Sequence, residues 1–211
     1  MEIGKYVVIE GHDGTGKSTQ VGLIRQKLLV CGIDSIEFHE PAGTLTADAI
    51  RNVIKNGSLE RDAMTNLLLF SAARHEIWNK RALPALKMGK WVVAARNYYS
   101  TLAYQGYGEG LDLDLIEMIT RQATNEKYMN PDIAIILDVN EKSRIKRIDG
   151  RGQLENPDTF ESKDDVFQFK VRDGYVDLAR SRNIPIVLAN NAAEDVAEEI
   201  WTDHIRPYIR N

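Results

Sequence analysis

The chain has 211 residues, 43% of them hydrophobic, which is enough to bury one core, and no linker-like stretch divides it. Its 27 basic and 31 acidic side chains give a net charge of −4, so no global positive field favours a nucleic acid polymer or an anionic membrane as partner. With a single cysteine, Cys31, no signal segment and no membrane-spanning stretch, we expect one cytoplasmic domain over residues 1–211.

Short apolar runs rich in β-branched residues alternate with longer helical patterns along the chain. The predicted strands are residues 6–10, 35–39, 91–95, 133–138 and 185–189. The predicted helices are residues 17–30, 47–55, 62–88, 113–126, 141–149, 165–181 and 192–208. Five strands separated by helices indicate a three-layer α/β fold, with a five-stranded parallel sheet flanked by helices.

A glycine-rich segment stands directly between the first predicted strand and the first predicted helix. It reads GHDGTGKS and matches the pattern G-x-x-x-x-G-K-[ST], in which backbone N–H groups surround phosphate oxygens. Lys17 is then expected to reach the β- and γ-phosphates of a nucleoside triphosphate, and the Ser18 hydroxyl to hold Mg²⁺. The expected triphosphate-binding residues are Gly11, His12, Asp13, Gly14, Thr15, Gly16, Lys17, Ser18 and Thr19.

Other segments should face the same crevice, because parallel sheets bind ligands beyond the carboxyl ends of their strands. These are the segments that begin at Glu40, at Arg96 and after Val139. Asp13 would repel phosphates unless its carboxylate turns towards a donor such as a sugar hydroxyl on a second substrate. A solvated turn residue that stabilises its own backbone is an equally good interpretation of Asp13.

Phe70 and Arg74 stand four residues apart in the predicted helix 62–88 and so share one face. A pyrimidine could stack on Phe70. Arg74 can only donate hydrogen bonds, so it favours a keto oxygen of thymine or uracil over the amino group of cytosine. The leucines around Phe70 have the periodicity of a buried stripe, so periodicity alone favours a core position for Phe70.

Arg96 follows the third predicted strand, where its fork of donors suits an acceptor phosphate, with a structural salt bridge as the alternative. Ser100, Thr101 and Gln105 add hydroxyl and amide groups that can read the edge of a pyrimidine. The later stretch 150–163 (GRGQLENPDTFESK) is polar and rich in turn formers, which is typical of a mobile surface loop.

Four segments in this order resemble the bacterial thymidylate kinase family: the glycine-rich loop, HEPAGT at 39–44, LLLFSAAR at 67–74 and STLAYQG at 100–106. The family has a REPGGT-like segment, an LLLFAADR-like helix and a DRY-x-x-S-x-x-AYQG segment at the corresponding places. The similarity runs from Tyr6 to about Asp112 and, more weakly, through residues 131–179. It implies the P-loop kinase fold and transfer of the ATP γ-phosphoryl group to dTMP, giving dTDP and ADP, with Mg²⁺ and usually in a homodimer.

The resemblance also assigns residues of the acceptor site. It places the base on Phe70, Arg51 near the acceptor nucleotide, and Tyr104 under the sugar, where its bulk implies a preference for deoxyribose. The expected dTMP-binding residues are Asp13, Glu40, Arg51, Phe70, Arg74, Arg96, Ser100, Thr101, Tyr104 and Gln105.

The resemblance further implies that the stretch at about 150–163 is a lid that supplies a cation. The expected catalytic residues are Lys17, Arg96 and Arg151, the last being the match to the lid arginine. Arg147 and Lys146 are secondary candidates for that cation, although the sequence favours a solvated helix position for each of them.

Three positions depart from the family pattern. Ala95 stands where the family has an Asp that helps to hold Mg²⁺, so Glu10, Glu40 or water would compensate, or turnover is slow, or the acceptor differs. His39 replaces the arginine before Glu-Pro, and Thr159 stands where a second lid arginine is expected. Positive charge around the transferring phosphoryl group is thus expected to be lower than usual, and one such cation can be worth about 10³-fold in rate.

Two other functions stay open. The chain could be a kinase for a deoxynucleoside or another pyrimidine deoxynucleotide, and for a nucleoside acceptor Glu40 would act as base on the 5′-hydroxyl. Arg51 and Arg96, which suit an acceptor that already carries phosphate, argue against a nucleoside. The other alternative is a nucleotide-binding protein with little catalysis, which Ala95 and the reduced lid charge would fit.

Overall fold

The computed structural model describes residues 3–150 and 159–209. Within them, five strands form one parallel sheet in the spatial order β2-β3-β1-β4-β5. The strands are β1 (Tyr6–Gly11), β2 (Ser35–His39), β3 (Trp91–Ala95), β4 (Ile133–Asp138) and β5 (Ile186–Leu188). All five predicted strands and the predicted parallel sheet are confirmed.

Helices cover both faces of the sheet. They are α1 (Lys17–Val30), α2 (Leu45–Lys55), α3 (Ala63–Ile77), α4 (Leu83–Lys87), α5 (Tyr98–Thr101), α6 (Leu113–Ala123), α7 (Glu126–Met129), α8 (Glu141–Asp149), α9 (Asp165–Ser181) and α10 (Ala193–Ile200). None of the helices that the structure describes has the length and apolar character needed to cross a bilayer.

The core lies on the two faces of β1, because successive side chains of a strand point to opposite sides of the sheet. Tyr6 and Val8 belong to an apolar cluster that includes α3 and α9. Val7 and Ile9 belong to a second cluster, which includes α1 and α10. This arrangement confirms the predicted three-layer fold.

The predicted helix 62–88 is interrupted. α3 ends at Ile77, a π-helical segment spans Trp78–Ala82, and α4 follows. Pro84 has no N–H for the carbonyl four residues earlier, and its ring crowds that turn, so a regular α-helix cannot run through it. The leucine pattern continues on both sides of Trp78–Ala82, so the sequence gives no sign of this π-helical segment.

Two other predicted helices are also divided. Helix 113–126 ends at Ala123, because the side chain of Asn125 accepts a hydrogen bond from the Tyr128 N–H at 3.1 Å and so starts α7. Helix 192–208 is α-helical only to Ile200 and then continues as a π-helical turn and a 3₁₀ turn that contains Pro207.

A helical stretch after β3 was not predicted. α5 begins where Asn97 Oδ1 accepts from the Tyr99 N–H at 2.8 Å, and a π-helical segment, Leu102–Gly108, continues it. Its aromatic residues and glycines are weak helix formers. Packing against α9 stabilises the stretch instead. The stretch thereby holds the residues from Ser100 to Gln105 near the sheet.

Candidate active site

The glycine-rich loop joins β1 to α1 at the carboxyl end of the central strand. Gly11 has a φ of 134°, and a Cβ there would lie 2.3 Å from the carbonyl oxygen of Leu137 in β4. Gly16, with a φ of 95°, is the N-cap of α1. Because only glycine adopts both positions without strain, the loop can turn its N–H groups inward at a helix N-terminus, which is a site for anions.

Lys17 is buried and folds over this loop. Its Nζ donates to the carbonyl oxygens of Gly11 (2.9 Å) and His12 (2.8 Å), and it lies 3.9 Å from Oδ1 of Asp13. A polyphosphate is a stronger partner for an ammonium group than neutral carbonyls are, so Lys17 can exchange these bonds for phosphate oxygens. Ser18 and Thr19 are exposed beside it, as a ligand-facing helix start requires.

His12 is buried and joins the loop to α9. Its Nε2 lies 2.7 Å from Oε1 of Gln168, whose amide nitrogen donates to the carbonyl oxygen of Phe160 at 2.8 Å. Burial lowers the pKa of His12 to about 4, although Asp13 acts in the opposite direction. The imidazole is therefore neutral at pH 7, and its Nε2–H is the donor to Gln168.

This buried histidine makes stability depend on pH. Between pH 6.5 and about 4 the unfolded chain binds a proton at His12 and the folded chain does not, so the free energy of unfolding should fall on acidification by up to about 3 kcal/mol. Urea unfolding at pH 7, 6, 5 and 4.5 measures this, and the His12→Asn variant should have a shallower slope. Equal slopes for the two proteins would contradict the assignment. The pKa of Asp13 is lowered, so the effect of Asp13 on the free energy of unfolding falls at lower pH than this range.

Asp13 is paired inside the site rather than solvated. Its carboxylate accepts hydrogen bonds from Nη2 of Arg96 and, at 2.6 Å, from the hydroxyl of Tyr104. Burial acts to raise the pKa of Asp13, but Arg96 and Lys17 outweigh burial and hold that pKa well below its usual range. The interpretation of Asp13 as a solvated turn residue is therefore wrong.

Arg96 stands directly after β3 with a φ of 75°, a left-handed conformation that is uncommon for a residue with a Cβ. Its Nη1 donates to Oγ of Ser100 at 3.0 Å, and its guanidinium lies 5.4 Å from the centre of the Tyr104 ring. The salt bridge weighed as the alternative is present, to Asp13, yet Arg96 also lines the cavity described below.

Glu10 is fully buried and holds the segment that carries Arg96. Its Oε1 accepts from the N–H groups of Asn97 (2.7 Å) and Ser100 (3.1 Å). Its Oε2 accepts from the hydroxyls of Ser100 (2.7 Å) and Tyr175 (3.0 Å). Because both oxygens are bonded to protein, Glu10 is not available to replace the missing Mg²⁺ ligand without breaking this network.

A cavity of about 410 Å³ runs from the loop to α3. Every residue predicted for the acceptor lines it: Asp13, Glu40, Arg51, Phe70, Arg74, Arg96, Ser100, Thr101, Tyr104 and Gln105. From the loop, its wall includes Gly16, Lys17, Ser18 and Thr19 but not Gly11, His12, Gly14 or Thr15. All of the residues predicted for the acceptor and part of those predicted for the triphosphate therefore line the same cavity.

A buried ion pair closes the far end of this cavity. Nε of Arg74 donates to Oε2 of Glu40 at 3.0 Å, and the Tyr128 hydroxyl donates to Oε1 at 2.7 Å. Nη2 of Arg74 donates to Oγ1 of Thr101 at 2.9 Å, whereas Nη1 is buried with no partner among the described residues. Burial raises the pKa of Glu40, and Arg74 and Tyr128 offset this only in part. Both carboxylate oxygens of Glu40 are thus hydrogen-bonded, and Glu40 orients Arg74.

Phe70 is half-buried, and its ring faces the cavity rather than the core alone. The ring centres of Phe70 and Phe160 lie 5.9 Å apart with planes 38° apart, and Phe160 packs edge-on against Tyr104 at 5.8 Å. Phe160 was missed, because it stands in a segment whose polar composition gives no sign of a buried aromatic residue.

Comparison with known proteins agrees with this geometry. The family model described as thymidylate kinase matches residues 9–200. The chain belongs to the thymidylate kinase family. The thymidylate kinase of Exiguobacterium sibiricum is 36% identical over 203 residues, covering 95% of this chain and 93% of that protein. That of Carboxydothermus hydrogenoformans is 34% identical over 197 residues, covering 93% and 95%.

A solved structure from the same family supports the fold. The crystal structure of thymidylate kinase from Ehrlichia chaffeensis has a TM-score of 0.73 to this chain at 28% identity, and the match covers 93% of this chain and 95% of the other. The P-loop kinase fold implied by the motifs is confirmed.

One departure from the thymidylate kinase pattern, Thr159, lies in the expected lid, at the end that the structure describes. Thr159 stands where a lid arginine was expected, and its Oγ1 donates to the carbonyl oxygen of Ile54 at 2.7 Å and accepts from Nη2 of Arg61 at 3.0 Å. The predicted mobile loop is therefore anchored to α2 at this end. Arg151 lies outside the described residues.

Arg147, a secondary candidate for the lid cation, lies against the phosphate loop. Its Nη1 lies 3.5 Å from the carbonyl oxygen of Gly14 and 3.4 Å from that of Thr15, and its Nη2 donates to Ala189 at 2.8 Å. Lys146 is exposed. Of these two residues, only Arg147 contacts the phosphate loop in the part of the chain that the structure describes.

Ala95, which stands where the family has an aspartate, lines the cavity. Among residues 3–150 and 159–209, no cluster of three or more His, Cys, Asp or Glu side chains could hold a metal ion. Mg²⁺ in nucleotide sites keeps several waters and binds phosphate oxygens with one or two protein oxygens. The exposed hydroxyl of Ser18 at the start of α1 fits one such ligand, and Glu10 and Glu40 do not.

Proposed function

We propose that the chain transfers the γ-phosphoryl group of ATP to dTMP and forms dTDP and ADP. The observation that carries this proposal is the single cavity whose wall joins Lys17 of the phosphate loop to Phe70, Arg74 and Arg96. Membership of the thymidylate kinase family supports it. In this proposal residues 1–211 act as one nucleoside monophosphate kinase domain.

The base end of the cavity suits thymine. The ring stacks on Phe70, and Nη1 of Arg74, a buried donor with no partner among the described residues, suits a keto oxygen as acceptor. Tyr104 is buried and its hydroxyl is fixed by Asp13, so its ring forms a rigid floor under the sugar. A ribose 2′-hydroxyl would have to displace that ring, and this supports deoxyribose.

The acceptor phosphate binds Arg96, which can present two parallel donors to it. The phosphate then competes with Asp13 for the guanidinium group. As Arg96 turns to the phosphate, the Asp13 carboxylate becomes free to accept from the 3′-hydroxyl of the sugar. Ser100, whose hydroxyl already bonds Glu10 and Arg96, serves in this proposal mainly to hold Arg96.

In the transfer step an acceptor phosphate oxygen attacks the γ-phosphorus, and the bond from that phosphorus to the β–γ bridging oxygen breaks, so ADP leaves. No proton has to be removed, because the attacking oxygen is already ionised at pH 7. Lys17 moves from the loop carbonyls to the β- and γ-phosphates, Arg96 neutralises the acceptor, and Arg151 supplies the lid cation. Ser18 would hold Mg²⁺, which when bound would add to the neutralisation of the donor phosphates.

A nucleoside acceptor is disfavoured by the state of Glu40. A base for the 5′-hydroxyl needs a carboxylate that can reach the substrate, and Glu40 is bonded on one oxygen to Arg74 and on the other to Tyr128. Two arginines in the cavity wall, Arg51 and Arg96, have no charged partner on such a substrate.

We also propose that two copies form a homodimer in the cytoplasm, with ATP and dTMP as the small-molecule partners. The dimer is implied by the family resemblance. α3 and α6 pack side by side, and Leu68 and Met118 on them are more than half exposed, as expected for an apolar face that meets a partner.

The acceptor is tested by measuring initial rates of ADP formation with dTMP, dUMP, dCMP and thymidine under Mg²⁺ and ATP. We expect the highest kcat/KM for dTMP, a value about tenfold lower for dUMP because it lacks one methyl group, and lower values still for dCMP and thymidine. Preference for any acceptor other than dTMP refutes the specificity. Tight binding of ATP and dTMP without turnover above a Lys17→Ala control would instead indicate a nucleotide-binding protein.

A further inference from the structure

Glu109 is a buried carboxylate beside the acceptor cavity. Its side chain is 7% exposed, and it follows the π-helical segment Leu102–Gly108, four residues after Gln105. Gln105 is buried and lines the cavity, whereas Glu109 is not part of the wall among the described residues. Glu109 can therefore act on a bound nucleotide only through a neighbour.

Three groups from three parts of the fold hold this carboxylate. Nε2 of Gln105 donates to Oε2 at 3.0 Å, and Nζ of Lys163 donates to Oε1 at 2.7 Å. Nδ2 of Asn66 lies 3.1 Å from Oε1 and 3.3 Å from Oε2, and Nε of Arg61 donates to the side-chain oxygen Oδ1 of Asn66 at 3.1 Å. Glu109 is thus locked between α3, the anchored end of the lid and the segment that carries Gln105.

The chemistry of a carboxylate decides which way the Gln105 amide faces. An ionised carboxylate only accepts hydrogen bonds, so Gln105 must turn its NH₂ group to Glu109. The amide oxygen then lies on the other side of Cδ. An oxygen presented to a pyrimidine accepts a hydrogen bond from the N3–H of thymine or uracil, whereas N3 of cytosine carries no hydrogen.

We propose that Glu109 is a positioning residue that fixes Gln105 as a hydrogen-bond acceptor and so selects pyrimidines with a hydrogen on N3. The proposal deepens the proposed function and rests on it, since it concerns the base of the same acceptor nucleotide. Arg74 selects at the keto oxygen, and Gln105, oriented by Glu109, selects at the adjacent ring nitrogen.

The substitution Glu109→Gln changes this orientation with little change of shape. Lys163 donates to Oε1, and Asn66 lies closer to Oε1 (3.1 Å) than to Oε2 (3.3 Å), so the oxygen of the new amide stays on the Oε1 side and its NH₂ group faces Gln105. Gln105 must then turn its own oxygen to position 109 and its NH₂ group away from it. A donor in place of an acceptor disfavours N3–H and favours the bare N3 of cytosine.

The test compares kcat/KM for dTMP and dCMP, and the dissociation constants of both by calorimetry, in the wild type and Glu109→Gln. We expect the ratio of dTMP to dCMP to fall at least tenfold. The control is Glu117→Gln, whose carboxylate pairs with Arg182 instead of a cavity residue, and it should leave the ratio unchanged. If the wild type prefers dTMP and Glu109→Gln keeps its ratio, this inference fails and the proposed function stands; if the wild type itself prefers another acceptor, the proposed function fails.

An exchange of the two side chains separates positioning from a merely structural role. In the double variant Gln105→Glu with Glu109→Gln, an acceptor again faces the base, because the amide at position 109 donates to the carboxylate at position 105. We expect this pair to recover most of the dTMP preference and dTMP affinity. Should Glu109→Gln alone fail to fold, the double variant carries the test: dTMP preference supports the proposal, and its loss in a folded double variant overturns it.

Discussion

Replacing Lys17 by methionine is expected to lower kcat for dTMP phosphorylation by about 10³-fold or more. Methionine keeps the aliphatic length of the side chain but removes the cation that neutralises the transferring phosphoryl group, an effect of the size seen for other such cations. The bonds from Lys17 to the carbonyl oxygens of Gly11 and His12 would also be lost, so the unfolding midpoint is measured alongside the initial rate.

A matched control lies on the same helix. Lys27 is near the end of α1 and pairs with Glu198 on the surface, so Lys27→Met removes one positive charge from α1 without touching the phosphates. We expect its kcat within twofold of the wild type, because exposed ion pairs contribute little. Comparable rates for Lys17→Met and Lys27→Met would show that Lys17 does not act in the transfer.

The second large effect is expected at Arg96. Arg96→Met should lower kcat/KM for dTMP by about 10²- to 10³-fold, because a half-buried cation that can donate two hydrogen bonds to the acceptor phosphate is lost and Asp13 is left without its main partner. The KM for ATP should change much less, since Lys17 and the loop remain. Steady-state kinetics with each substrate varied in turn measures the two effects separately.

Arg96→Lys sharpens this prediction, because lysine keeps the charge but not the two parallel donors. We expect it to recover only a small part of the lost kcat/KM. Arg121→Met, which removes an exposed arginine paired with Glu126, is the control and should behave as the wild type. An Arg96→Met enzyme with normal kcat/KM for dTMP and raised KM for ATP would place the acceptor phosphate elsewhere.

A continuous set of hydrogen bonds joins the two halves of the site. Glu10, the last-but-one residue of β1, holds Ser100, which in turn accepts from Arg96. Arg96 pairs with Asp13 in the phosphate loop, and Asp13 accepts from Tyr104 in the acceptor wall. Donor loop and acceptor segment are therefore fixed relative to each other before any ligand binds, which in-line transfer requires.

The phosphate loop and the sheet could be predicted from sequence because their signals are local. The spacing of Gly11, Gly16 and Lys17 is readable within eight residues, and each strand is a short β-branched run. The rule that ligands collect beyond parallel strands then placed Arg96 correctly at the cavity. Phe70 was harder, since a buried leucine stripe and a cavity wall have the same periodicity.

The supporting residues could not be predicted, because their roles depend on contacts distant in sequence. Tyr128 reaches Glu40 across 88 residues, and Phe160 is buried against Phe70 from a segment of polar composition. The interruption at Trp78–Ala82 left the leucine pattern intact. Glu109 stands four residues after Gln105, but that spacing suggests a hydrogen bond only on a helix, and no helix was predicted there.

A crystal structure with dTMP, a non-hydrolysable ATP analogue and Mg²⁺ tests the central claim most directly. The account predicts the thymine ring on Phe70 with its keto oxygen at Arg74, the dTMP phosphate at Arg96, and the triphosphate in the loop from Gly11 to Ser18. A dTMP molecule bound away from Phe70 and Arg96, with the triphosphate still in the loop, would contradict it.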